Sequence, residues 1–106
     1  MYLVNSRAYS IVVVRRIRSD FYKLQMFYVY ILRSLNTNRY YIGSCENLNK
    51  RTNQHNTGVM KSTKAYVPWE VVCSEKFHTL LGARRRELQI KSWKSRKMIN
   101  KLVKHL

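Results

Sequence analysis

The first strongly patterned stretch of the chain begins at residue 27. The segment FYVYILRS is rich in aromatic and β-branched residues, and RYYIGS repeats that character after the turn-forming residues Asn36-Thr37-Asn38. This pattern predicts a β-hairpin whose second strand ends at Gly43. Asn47 then predicts the N-cap of a helix through LNKRTNQHNT, which Gly58 would stop.

The second half of the chain predicts one more strand and two more helices. Residues 59–67 are polar and basic and predict a loop, and Pro68-Trp69 opens a strand through EVVCSEKF. Thr79 and Ser95 predict the caps of helices LLGARRRELQIKSWK and RKMINKLVKHL. The elements together predict a domain of three strands with helices packed against them.

Residues 1–25 carry apolar and basic patches with no clear period and no turn signals. We interpret them as an N-terminal extension, either a poorly ordered tail or a segment upstream of a natural start at Met26. A mitochondrial transit peptide is a less favoured alternative for this arginine-rich, acid-poor leader. Residues 26–106 would then form the functional domain.

Length and charge narrow the class of protein. A chain of 106 residues is enough for one domain with one modest core. Its 21 Lys and Arg against 5 Asp and Glu give a formal net charge of +16, which favours a polyanionic partner, nucleic acid above all. A merely basic surface, a ribosome-associated protein and a lipid-binding protein remain alternatives that charge alone does not separate.

The sequence has neither the features of a membrane-spanning protein nor those of a disulfide-stabilised protein. No apolar stretch approaches the 18 or so residues that span a bilayer, so we expect a soluble, cytoplasmic protein without a membrane partner. Cys45 and Cys73 lie far apart without a CxxC pairing, and we interpret both as reduced thiols. A metal site of these cysteines with His55 and His78 matches no common ligand spacing.

Glu87 is the most informative single residue of the second predicted helix. At 100° per residue it falls near the centre of an apolar arc formed by Leu80, Leu81, Ala83, Leu88 and Ile90. Glu87 could form a helical ion pair with Arg84 or Lys91, which is the better interpretation from the helix alone. It could instead be a hard-oxygen ligand for Mg²⁺.

Two further groups of polar residues have both structural and chemical interpretations. Arg51 and His55 lie four apart on one helix face, and such a pair could hold a phosphate and accept a proton, although a solvated basic face is the simpler explanation. Tyr28 and Tyr30 share one face of the first strand, whereas Tyr40 and Tyr41 point to opposite faces of the second. Strand tyrosines are usually amphipathic packing residues.

The order of these residues resembles the signature of GIY-YIG nucleases. Tyr28-Val29-Tyr30 lies about ten residues before Tyr41-Ile42-Gly43, and Asn47-Leu48, Arg51 and His55 follow. The later segment from Ala83 to Lys91 resembles the family helix that carries a metal-binding glutamate. The resemblance covers residues 27 to about 100 and is closest to small stand-alone members, which are related to the nuclease domain of the ABC excinuclease.

The resemblance implies a fold, an activity and a site. The fold would be an α+β domain with a small three-stranded antiparallel sheet flanked by helices. The activity would be that of an endonuclease that hydrolyses DNA phosphodiester bonds with Mg²⁺ or Mn²⁺, in DNA repair or recombination. The implied catalytic residues are Tyr30, Tyr41, Arg51, His55 and Glu87, with Glu87 as the metal ligand.

Substrate contacts and an alternative function complete the expectations. We expect basic residues near the site to bind nucleic acid, namely Lys50, Lys61, Lys64, Arg84 and Arg85. DNA is the expected partner, and structured RNA is an alternative. The rival function is a basic module that keeps the fold and binds nucleic acid without cutting it.

The sequence departs from the family pattern at two positions. Tyr28 replaces the first glycine of the signature. Ser44 stands where excinuclease-type members carry a lysine, so that the cation would have to come from elsewhere, with Lys50 and Lys64 as candidates. The identity of the general base, Tyr41 or His55, is left open by the sequence.

Overall fold

The computed structural model describes residues 25–104. The expected N-terminal extension therefore lies outside the described residues, apart from Gln25, as does the predicted end of the last helix at 105–106. The elements in chain order are strands β1 (Phe27–Ser34) and β2 (Tyr40–Cys45), helix α1 (Leu48–Asn56), a short 3-10 helix (Lys64–Tyr66), strand β3 (Trp69–Phe77), and helices α2 (Leu80–Ser92) and α3 (Arg96–Lys104).

The three strands form one antiparallel sheet in the order β2-β1-β3. In the hairpin, Tyr30 pairs with Gly43 and Leu32 with Tyr41. The chain is thus an α+β domain with an open three-stranded sheet and three α-helices within the described range, which confirms the predicted fold class. The order β2-β1-β3 also makes β2 an edge strand of the sheet.

Helices and loops cover both faces of the sheet, which explains why β1 is buried along most of its length. Val29 and Ile31 pack into one cluster with Phe77 of β3, Ala83 and Ile90 of α2 and Ile99 of α3. The alternate residues Tyr30 and Leu32 pack into a second cluster with Cys45 and Trp69, against which Leu48 of α1 lies. The period of two in a strand separates these residues onto opposite faces.

Side-chain caps begin the helices where the sequence predicts them. The Asn47 side chain accepts a hydrogen bond from the Lys50 N–H at 3.0 Å, and Thr79 accepts one from the Gly82 N–H at 3.0 Å. The Ser95 hydroxyl accepts one from the Met98 N–H at 3.2 Å. Gly58 follows α1 with a φ of 79°, the left-handed conformation that favours glycine after a helix.

Two details of the sequence prediction are wrong. Strand β2 does not end at Gly43 but continues to Cys45. The predicted apolar arc of α2 is also not a buried face: Ala83 and Ile90 are buried, whereas Leu80, Leu81 and Leu88 are 41%, 60% and 65% exposed. The physical reason is that a sheet of three strands offers α2 only a narrow contact stripe, which lies over β1 and β2.

Within the described residues, no helix is both long and apolar enough to cross a bilayer. The longest, α2, has 13 residues.

Candidate active site

A cavity of about 390 Å³ opens at the edge strand β2, where residues from four elements meet. Its lining includes Tyr30 of β1, Tyr41 and Gly43 of β2, Arg51 of α1, and Arg84 and Glu87 of α2. Four of the five predicted catalytic residues therefore line one cavity, although they are up to 57 positions apart in the chain (from Tyr30 to Glu87).

Gly43 shapes this cavity by having no side chain. It lies opposite Tyr30 in the hairpin, and a Cβ at this position would lie 2.6 Å from the Tyr30 hydroxyl oxygen. No carbon atom fits at that distance, so only glycine lets the Tyr30 ring cross over β2 toward the cavity. The requirement for glycine is one of close approach and not of strand termination.

The hydroxyl of Tyr30 belongs to a buried chain of hydrogen bonds. It lies 3.0 Å from Nε2 of His55, whose Nδ1 lies 2.8 Å from the Thr63 hydroxyl. Burial is the main cause that raises the pKa of Tyr30, and the nearby Tyr41 raises it further, against the opposing effect of Arg51. Tyr30 therefore remains a protonated phenol, which can donate its proton to His55 Nε2.

His55 is neutral and enclosed. Its ring is completely buried, and burial together with the positive charge of Arg51 lowers its pKa below the usual 6.5. If Nε2 accepts from Tyr30, Nδ1 carries the proton and donates it to Thr63, whose hydroxyl in turn reaches the Met60 carbonyl at 3.4 Å. With both ring nitrogens engaged, His55 has no free nitrogen for the cavity, which it meets through the rings of Tyr30 and Tyr41.

Tyr41 has the more open position of the two candidate bases. It is partly buried, lines the cavity directly, and its ring centroid lies 4.8 Å from that of His55 and 6.3 Å from that of Tyr30. Among the described residues, no hydrogen-bond partner holds its hydroxyl. Tyr41 is thus the candidate base that can contact water in the cavity.

Glu87 approaches the cavity from the opposite face of the sheet. The Ser44 hydroxyl donates to its Oε1 at 2.6 Å, and the Lys91 ammonium donates to its Oε2 at 2.6 Å. Its side chain is 17% exposed and that of Lys91 48%. The predicted helical ion pair is thus formed with Lys91, and the same carboxylate also faces the cavity.

The donor set around Glu87 limits the kind of metal site that could form. Residues 25–104 contain no cluster of three or more His, Cys, Asp or Glu side chains that could hold an ion. A single carboxylate with water molecules and substrate oxygens is nevertheless a donor set that fits Mg²⁺, which retains several of its waters. The other conceivable site is not formed, because Cys45 and Cys73 belong to clusters on opposite faces of the sheet.

Both cysteines are free thiols, as predicted, and both are buried. Burial raises the pKa of Cys45, and it raises that of Cys73 to about 11 with a contribution from Glu75. Thiols held in the protonated form are poor nucleophiles, so neither cysteine is a candidate for covalent catalysis.

A second cavity of about 340 Å³ adjoins the first and shares Ser44, Arg51 and Arg84 with it. It extends along α1, where Lys50 and Gln54 line it. We call the two cavities together the groove.

Lys50 and Arg84, predicted to bind nucleic acid, thus both line the groove. The other three predicted contacts, Lys61, Lys64 and Arg85, are exposed, and none of them lines either of these two cavities of the described domain.

Sequence reasoning missed the partners that hold the site together. Thr63 is completely buried inside a segment that the sequence predicts as a polar loop, and it orients His55. Ser44, which the sequence marks only as a departure from the family pattern, is the hydrogen-bond donor to Glu87. The position of Ser44 directly after Gly43 is a sequence signal for its place at the site. No neighbouring residue in the sequence indicates the role of Thr63, because its partner His55 lies on another element.

Comparison with known protein families agrees with this geometry. Residues 26–101 match the sequence model of the GIY-YIG catalytic domain, which covers nearly all of the described chain. The chain belongs to the GIY-YIG family. This is a family of nucleases, and the match is to the catalytic domain of the family. No curated protein and no solved structure shows a significant match.

Proposed function

We propose that this GIY-YIG domain is an endonuclease that hydrolyses DNA phosphodiester bonds with a divalent metal ion. The observation that carries the proposal is the convergence of Tyr30, Tyr41, Arg51 and Glu87 on one cavity at the edge of β2. Around one cavity, a phenol, a cation and a carboxylate can supply a base, a phosphate-binding charge and a metal ligand for phosphodiester hydrolysis. A role in DNA repair or recombination and a cytoplasmic location, which suits two free thiols, are part of the proposal.

In the proposed reaction, Tyr41 first releases its phenolic proton to solvent. The resulting phenolate then takes a proton from a water molecule in the cavity as the water oxygen forms a bond to phosphorus. The bond from phosphorus to the leaving oxygen breaks, and that oxygen departs with a proton from solvent. Arg51 holds the phosphate and balances the negative charge that develops on its oxygens. Because the water contacts Tyr41, His55 need not be the base.

Tyr30 and His55 act as positioning residues. The buried bond from the Tyr30 hydroxyl to His55 fixes the phenol ring against Gly43. The neutral state of His55 keeps a second positive charge away from Arg51, so the hydrogen-bond chain orients the site without changing its charge.

Glu87 would hold Mg²⁺ or Mn²⁺ through a carboxylate oxygen, with Ser44 orienting the carboxylate from the other side. The ion would supply a Lewis acid beside the scissile phosphate. Since Lys91 occupies Oε2 at 2.6 Å, its ammonium would have to move as the ion enters. Lys91 is half-exposed and lies on the helix surface, so such a displacement requires only a change of rotamer.

One observation favours the alternative, a module that binds nucleic acid without cutting it. Both oxygens of Glu87 already have partners in this chain, Ser44 and Lys91, and a purely structural glutamate would look the same. The position of Glu87 on the cavity wall favours catalysis, because a structural ion pair has no need to lie there.

The test is a cleavage assay of the purified protein on labelled single-stranded, duplex, flapped and branched DNA of one sequence. We expect cleavage of at least one substrate with Mg²⁺ or Mn²⁺ and none with EDTA. Binding to these substrates without any cleavage, under every metal condition, would support the alternative instead.

A further inference from the structure

The side of α2 that borders the groove carries three exposed leucines. Leu80, Leu81 and Leu88 are 41%, 60% and 65% exposed. We call these three residues the leucine ridge. Leu88 lines the cavity that contains Tyr30 and Glu87, and Leu80 lines the adjoining cavity that contains Lys50. Two of the three ridge leucines therefore form part of the wall of the proposed active site, and Leu81 lies beside them on the helix surface, outside both cavities.

The three leucines of the ridge surround Arg84, which lines the same groove. Arg84 lies three or four positions from each of the three leucines, so all of them are its neighbours on the helix surface. Arg84 lines both cavities of the groove. A phosphate held by Arg84 and Arg51 would therefore lie within one side-chain length of exposed leucine side chains.

A continuous duplex does not suit this surface. The outer surface of a double helix presents sugars and charged phosphates, and leucines beside a phosphate site would remain in water or meet charge. An unpaired base next to the scissile phosphate offers an apolar face, and leucine side chains are among those that proteins place against unstacked bases. A surface that combines leucine and arginine side chains is therefore suited to a nucleic-acid strand whose bases are unpaired and exposed.

We propose that the leucine ridge contacts unpaired bases next to the scissile phosphate, so that the substrate class of this site is nucleic acid with a single-stranded or unpaired region, such as a fork, flap or bulge. The proposal rests on the proposed nuclease function for the location of the phosphate. The ridge contributes selectivity by burying its apolar surface only when a base is unstacked.

The experiment measures binding of the full chain, in EDTA, to three DNAs with the same number of phosphates: a continuous duplex, a forked duplex and a single strand. The variant L81Q/L88Q removes apolar surface from exposed helix positions with a good helix former, so the fold should persist. L88M keeps an apolar side chain at the ridge. L35Q is the matched control, because Leu35 is 57% exposed on the β1–β2 turn.

We expect the wild type to bind the forked DNA at least about tenfold more tightly than the duplex. L81Q/L88Q should reduce that ratio to near one while its affinity for the duplex stays unchanged, and L88M and L35Q should retain the wild-type ratio. A wild type without preference, or a double variant that keeps it, would overturn the proposal. Because no metal is present, this result is independent of whether the protein cuts DNA.

Two alternative occupants of the ridge would each give a distinct experimental result. A wild-type dimer in sedimentation that L81Q/L88Q converts to monomer would assign the ridge to a second copy of the chain. A photo-crosslinker at position 88 that reacts with residues 1–24 in the absence of DNA would assign it to the N-terminal segment. Either result would overturn the proposal.

Discussion

At the scale of single residues, the site depends on partners that compensate for burial. His55 is a titratable group with no exposed surface, and it is tolerated because Tyr30 and Thr63 bond its two nitrogens and because it is uncharged. The protonated form would be a cation in the core beside Arg51. This arrangement makes the stability of the fold depend on pH.

We predict that the free energy of unfolding falls as the pH drops below about 6.5. The pKa of His55 is lowered in the folded state, so below this pH the unfolded chain binds a proton that the folded chain does not. The stability contribution is present above the unfolded pKa and is lost as the pH falls toward the folded pKa. Urea denaturation between pH 5 and 8 measures it, with a slope of at most about 1.4 kcal/mol per pH unit from this residue.

The variant H55Q provides the comparison, since it keeps a polar side chain but does not titrate. Its stability should be lower throughout and should change less between pH 5 and 7 than that of the wild type. An identical pH dependence in both proteins would mean that His55 titrates normally in the folded state.

At the scale of elements, the segment between α1 and β3 is fixed by two residues at its ends. The Asn56 amide donates to the Trp69 carbonyl at 3.0 Å and accepts from the Trp69 N–H at 2.6 Å. The Trp69 indole N–H donates to the Thr63 carbonyl at 3.0 Å. These bonds hold Thr63 under His55, so the geometry of Tyr30 depends on residues far from the cavity.

We predict that N56A lowers the free energy of unfolding by about 2 kcal/mol, because it leaves two backbone groups of a buried residue without their partners. It should also reduce cleavage more than its stability loss explains, since Trp69, whose indole N–H holds Thr63, loses its own anchor. The control is N53A on the same helix, where the side chain is exposed. Chemical denaturation and assays at equal folded fraction test both variants, and equal behaviour of the two would contradict the anchoring role.

The elements also show what the sequence could and could not predict. The strands and caps follow from local signals, because β-branched runs, Asn47, Thr79 and Gly58 act on their own neighbours. The orientation of α2 does not follow from local signals. Its apolar arc covers a wide part of the helix surface, and packing against the sheet determines which part is buried. The sequence therefore predicts Glu87 as unusual, but not that Leu88 is exposed or that Ser44 is the partner of Glu87.

At the scale of the whole molecule, charge is the dominant feature. Residues 27–106 contain 16 Lys and Arg against 4 Glu. In the described range, three of those glutamates pair with Arg33, Arg86 and Lys91, which leaves most cations available to a polyanion.

We predict that binding to DNA weakens steeply with salt. If about four to eight phosphates are neutralised, the slope of log K against log salt concentration should lie roughly between −3 and −7. Fluorescence anisotropy over a series of salt concentrations measures it. An affinity that is indifferent to salt would contradict nucleic acid as the partner.

We also predict that residues 1–25 are dispensable for folding. The two core clusters, as described, draw on residues 27–103. A chain that begins at Met26 should remain soluble and melt within a few degrees of the full chain. A melting temperature far below that of the full chain would place the N-terminal segment in the core.

The central claim is that Glu87 serves catalysis and not only the Lys91 ion pair, and metal-dependent cleavage by E87Q tests it most directly. Glutamine keeps the volume and a hydrogen bond from Ser44 but lacks the anionic oxygen that a hard cation requires. The control is E70Q, which removes the half-exposed carboxylate of Glu70 on β3, where it pairs with Arg33 of β1. With equal folded fractions verified by circular dichroism, we expect E70Q to cut like the wild type and E87Q to bind DNA as tightly or more tightly without cutting it. Full cleavage by E87Q would contradict the role of Glu87 as metal ligand and the mechanism built on it.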